Sequence, residues 1–154
     1  MQAPPTSNGA ALLTLPRSTD NRPDAPIPIS ESTARLLGAL AVLAIGMIHI
    51  LDAVGTYSGT RWIFWAYMAV IVASVPVALV LLHSTSPLAW VAAAAVAAGP
   101  FVGYVWSRTV GLPGDAPDVG NWLCTLGMAA LFVETSLLAL SATRLWIWRQ
   151  ADIA

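Results

Sequence analysis

Four apolar stretches, 34–54, 62–82, 88–107 and 121–143, are separated by short breaks rich in polar residues, glycine and proline. Each is close to the roughly 20 residues an α-helix needs to cross bilayer hydrocarbon. Within lipid every backbone amide must be satisfied inside its own segment, which leaves no place for open strands. The pattern therefore predicts an all-α chain, a four-helix transmembrane bundle. Ser30 to Thr33 offer a cap for the first helix, and Gly55 and Gly59 punctuate its exit. Ser84, Thr85 and Ser86 lead into Pro87, a short turn with proline opening the third helix. Helices two and three are thus expected as an antiparallel hairpin. Pro76 and Pro100 lie inside the second and third segments, where each removes one helical hydrogen bond and favours a kink.

Ahead of the first stretch the pattern stops. Residues 1–31 hold six of the eleven prolines, with Ser, Asn and Asp between them and no sustained apolar period. This predicts a disordered tail. The apolar run 10–15 is too short for a secretory signal and has no basic flank, so no cleavage is expected. The organisation read from the pattern is a tail (1–31), a transmembrane domain (32–149) and a short C-terminal tail (150–154).

Composition strengthens the membrane reading. Of 154 residues 57% are hydrophobic and 10% charged, and the mean hydropathy is +0.72; soluble domains carry about 25% charged residues. A soluble globule of this size buries only about 70% of its unfolded surface, and so few charges could not cover the rest. The lipid bilayer is the first partner implied. Seven arginines, no lysine and a net charge of -1 include no basic run, which argues against a nucleic-acid partner. Arg17, Arg22, Arg35, Arg144 and Arg149 flank one side of the spans, and Arg61 and Arg108 the other. The excess predicts both termini on the cytoplasmic side, and the Lys-free, Ala- and Arg-rich composition suggests a bacterial plasma membrane. Trp62, Trp65, Trp106 and Trp122 would then mark the outer interface, Trp146 and Trp148 the inner one, and Trp90 the inner end of helix three.

Polar residues inside the spans are the candidates for chemistry. Glu134 sits near the middle of helix four, where an ionised carboxylate would cost several kcal/mol, roughly 3 on insertion scales. It must be protonated, paired or facing water, and a helical projection puts it on one face with Gly120, Leu123, Gly127, Ala130 and Ser141. His49 and Asp52 are three residues apart on one face of helix one, placed to hydrogen-bond or share a ligand. Arg108 leaves helix three after Tyr104 and faces a choice among Asp52, Asp115, Asp118, Glu134, an anionic ligand and lipid headgroups. His49, Tyr104, Arg108 and Glu134 are expected to turn toward an outward-opening polar cavity. A stripe of small residues, Ala95, Gly99, Gly103 and Ser107, is expected to pack inside the bundle. Met47, Met128 and Cys124 add soft sulfur near His49, but no HxxxH, CxxC or MxxM spacing exists. Neither a metal nor another cofactor is predicted.

Two elements, Gly46-Met47-Ile48-His49 at the end of helix one and Ser107-Arg108-Thr109-Val110-Gly111-Leu112-Pro113-Gly114 after helix three, resemble the GxIH-like and SRTxGLPxG-like motifs of a group of small actinobacterial four-helix integral membrane proteins. The resemblance covers 34–149, with Gly114 one place early. It implies the four-helix fold and points to these motifs as site positions, and it implies no activity or cofactor. Without HExxH, GxSxG or a phosphate-binding glycine loop, an enzyme reading ranks third, behind two others. The leading expectation is a small accessory or structural membrane component that packs with membrane-protein partners or as a homo-oligomer. The alternative is a small ligand-binding or proton-linked transport unit using Glu134 and His49 with Arg108.

Overall fold

The computed structural model describes residues 29–114 and 118–153. Four helices run up and down: α1 Glu31–Thr56, α2 Arg61–His83, α3 Pro87–Thr109 and α4 Thr125–Ile153. All four are long and apolar enough to cross a membrane. The chain is an all-α, four-helix transmembrane bundle, with no strand among the described residues. The tail expected over 1–31 falls outside the described residues up to position 28, and α1 begins at Glu31.

The caps follow the sequence closely. Ser30 Oγ accepts from the Thr33 amide, and Ser86 Oγ accepts from the Leu88 amide just after Pro87. Both satisfy amides that a helix start leaves without a partner. Arg35 donates through Nε to the Leu81 carbonyl at 2.6 Å and through a terminal nitrogen to Leu82, closing the C-terminal end of α2 from a neighbouring helix. Arg144 on α4 forms an ion pair with Glu31 on α1, so the first turn of the bundle is fastened to its last helix. The 150–154 segment, expected as a tail, continues as helix through Ile153. No glycine or proline follows Arg144 to stop it, and α4 at about 1.5 Å per residue outruns the roughly 30 Å of hydrocarbon.

Packing is unequal along the bundle. α1 pairs most extensively with α2, and α3 with α4, while α2 and α3 touch sparingly despite their short link. The antiparallel hairpin is present, but it is not the main contact. Near the termini the interior is filled by a tight core that includes Val42, Ile45, Leu81, Trp90, Ala93, Ala97 and Leu137. Trp90, expected at the inner end of helix three, is the fourth residue of α3 and is buried in this core. Gly38 makes the room: a Cβ there would lie 2.9 Å from the Trp90 ring. The other six tryptophans remain exposed at the two ends, consistent with amphipathic rings at headgroup level.

The small-residue stripe is buried as expected only at Ser107. Ala95 and Gly99 are exposed rather than packed, and a Cβ on Gly99 or Gly103 would meet nothing within 4 Å. The face of α3 that packs carries Ala89, Ala93 and Ala97 instead. Both sets are small and spaced by four, and the seating of Trp90 against Gly38 turns the alanine face inward. Helix four is corrected at its start as well. It begins at Thr125, so Gly120, with φ +82°, and Leu123, which is exposed, belong to the preceding loop and not to the Glu134 face.

Candidate functional site

Toward the end that carries the 57–60 and 110–124 connections, the helices separate and enclose a cavity of about 870 Å³. His49, Asp52, Tyr104, Arg108 and Glu134 all line it, and so do Gly99 and Gly103 of the small-residue stripe. Each of the four helices contributes. The stripe serves as a wall that leaves space, where the sequence suggested a seam for helix packing.

Glu134 lies deepest in energetic terms. It is 1% exposed, and neither carboxyl oxygen has a hydrogen-bond partner. α4 delivers it on the face that also buries Ala130, Leu137 and Ser141 and sets Gly127 against Tyr104, so the helical projection holds from Gly127 onward. Buried polar atoms in proteins nearly always find partners, and these two oxygens, in the cavity wall, have none.

His49 is fixed by its own helix. Its Nδ1–H donates to the Ile45 carbonyl at 2.8 Å, and its ring meets the edge of Tyr67 with centroids 5.0 Å apart. A carbonyl can only accept, so Nδ1 carries the proton, and the neutral ring keeps the Nε2 lone pair. Asp52, three residues on, is exposed at the cavity mouth and does not hold the imidazole. Gly46 lets α1 approach α2 closely: a Cβ there would sit 3.0 Å from Ser74, whose hydroxyl donates back to the Val70 carbonyl.

Arg108 resolves its choice of carboxylate in favour of Asp118. The two form an ion pair, and the guanidinium stacks over the Tyr104 ring at 4.7 Å. Arg108 is 8% exposed, so it does not snorkel to headgroups. Tyr104 donates its hydroxyl to the Trp122 carbonyl at 3.0 Å, and Gly127 provides the space its ring occupies.

The rest of the SRTxGLPxG-like element shapes a roof. Gly111 and Gly114 take φ of 88° and 84°, a backbone region that other residues rarely adopt. Trp62 Nε1–H donates to the Pro113 carbonyl at 2.9 Å, and Thr60 Oγ1 donates to the Gly114 carbonyl at 3.1 Å. The loop is thereby fastened to the start of α2. Asp118→Ala is expected to leave the four helices intact while accelerating amide exchange across 118–124 by about tenfold, measured by hydrogen-exchange mass spectrometry. Unchanged exchange would show that the α2 tethers alone hold the roof.

Sequence reasoning missed Tyr67, Asn121 and Trp62 as lining residues. For Tyr67 a signal existed, a phenol within an apolar span; Trp62 read only as an interface marker. The sulfurs do not converge: Met47 and Met128 are exposed on the outer surface, and only Cys124 reaches the cavity. Among the described residues no group of three His, Cys, Asp or Glu side chains comes together. The chain matches no family model, no curated protein and no solved structure.

Proposed function

We propose that this small integral membrane protein is a ligand-binding unit, whose cavity takes one small amphipathic molecule from the loop end of the bundle. The observation that carries the reading is the unpartnered, buried carboxyl group of Glu134, a residue of the cavity wall. A structural bundle gains nothing from that arrangement, because an unsatisfied buried polar group costs about 1–3 kcal/mol or more. Binding sites are concave, mostly apolar and supplied with a few convergent polar groups, and this lining matches that description. The accessory-component reading is supported only by the apolar outer surface, which lipid also covers. Proton-linked transport would draw on the same Glu134 and His49 and is the extension of the ligand reading. The arginine excess at the terminal end supports cytoplasmic termini and a cavity that opens outward, and the Lys-free, Ala- and Arg-rich composition supports a bacterial plasma membrane.

The test fills the cavity. With the protein in phosphatidylcholine nanodiscs, phenethyl-sized aromatic amphiphiles are expected to bind saturably, one per chain, above the partitioning into empty nanodiscs. The double variant Gly99→Phe/Gly103→Phe, at positions where added atoms meet open space, is expected to retain its helical circular dichroism and lose that binding. Absence of saturable binding, or equal binding by the filled variant, would refute the reading.

A further inference from the structure

The chemistry of the lining selects among ligands. Three carboxylates, Asp52, Asp118 and Glu134, face the cavity together with one guanidinium, Arg108. That guanidinium is neutralised by its ion pair with Asp118 and covered by Tyr104, so an anion arriving there would meet Asp118 first. Arg61, the other arginine at this end, is placed over the Tyr57 ring at 5.6 Å, away from the cavity lining. What remains for a ligand includes the Glu134 carboxyl group, Nε2 of His49 and the carboxylate of Asp52; Arg108 Nε also lacks a hydrogen-bond partner, but its guanidinium is already paired with Asp118.

Resting on the ligand-binding reading above, we propose that the cavity is selective for an organic cation, a protonated amine on an apolar or aromatic body, with its ammonium group against Glu134. An ammonium group carries donors and positive charge, which the carboxyl groups of Glu134 and Asp52 in this lining can accept. Its N–H groups would satisfy the two orphaned carboxyl oxygens by charge-assisted hydrogen bonds, stronger than neutral ones. The indole and phenol rings along the wall, Trp62, Trp106, Tyr67 and Tyr104, suit the body of such a molecule. Asp52 at the mouth, in a low-dielectric surround, favours entry of cations over anions. Gly99 and Gly103 leave the width for the body to pass beside α3.

Three probes of nearly equal shape separate charge from size: phenethylammonium, phenethyl alcohol and 3-phenylpropionate, each measured by equilibrium dialysis against the protein in phosphatidylcholine nanodiscs. Phenethylammonium is expected to bind at least about tenfold more tightly than the alcohol, as a charged hydrogen bond in place of a neutral one implies, and the carboxylate more weakly than either. Glu134→Gln keeps the side-chain shape and is expected to erase the preference for the amine while leaving alcohol binding within about twofold. Equal or tighter binding of the alcohol or carboxylate would overturn the cation assignment, as would an amine preference that survives in Glu134→Gln. In each of those results a saturable signal abolished by Gly99→Phe/Gly103→Phe leaves the cavity reading standing. If no probe binds saturably, that reading and the cation assignment fail together. Helical circular dichroism and monodisperse size exclusion of each variant distinguish lost binding from lost folding.

Discussion

Glu134→Leu is expected to make the protein more stable by about 2 kcal/mol, while removing preferential amine binding. Leucine and glutamate have similar volumes, so the α4 face that buries Ala130 and Leu137 closes around the new side chain with little rearrangement. What disappears is a carboxyl group that is 1% exposed and has no hydrogen-bond partner. Removing a buried polar group normally orphans the group that faced it, and most such substitutions destabilise. Here no partner is left behind, so the sign reverses. Reversible unfolding in mixed micelles, by titration with a denaturing detergent, reads the change directly. A destabilised Glu134→Leu would show that the carboxyl group makes a favourable interaction in the folded protein. Stability and binding moving in opposite directions is the signature of a group retained for function.

The second large effect contrasts two glycines. Gly38→Leu is expected to destabilise by about 3 kcal/mol, whereas Gly103→Leu is expected to be neutral or stabilising by up to about 1 kcal/mol. At Gly38 the first added carbon would meet the Trp90 ring at 2.9 and 3.1 Å and Leu81 at 3.4 Å. Trp90 and Leu81 are both core side chains, and neither has open space to retreat into. At Gly103 nothing lies within 4 Å, and replacing glycine inside a helix reduces the backbone freedom lost on folding. The same denaturing titration compares them. Equal losses at both sites would mean that the cavity is closed in the membrane, and the ligand-binding proposal would lose its space.

The spans were legible because hydropathy and segment length are local properties, and the bilayer imposes its thickness on each helix separately. Arg108 was legible as a group needing a partner, yet four carboxylates were eligible; the positive-φ turn at Gly120, whose backbone N–H donates a hydrogen bond to the Arg108 carbonyl at 2.9 Å, accompanies the loop that brings Asp118 back. The start of α4 was misread because Trp122 and Leu123 are apolar, and composition does not distinguish an interfacial loop from the first turn of a span. The stripe on α3 was misread because two small faces compete on one helix. Ala93 and Ala97 pack while Gly99 and Gly103 remain open, and which face turns inward depends on a neighbouring helix.

The sequence by itself determined that four helices cross a membrane and that Glu134, His49 and Arg108 are costly to place in hydrocarbon, since both follow from transfer free energies that each residue carries with it. The tertiary structure alone decided that those residues share one cavity, that Arg108 is taken by Asp118 and that Glu134 is left without a partner. Those outcomes depend on how helices seat against one another, which is set by single points of contact such as Trp90 in the space at Gly38 and Tyr104 in the space at Gly127. Such contacts join residues far apart in the chain, and no window of sequence contains both sides of them.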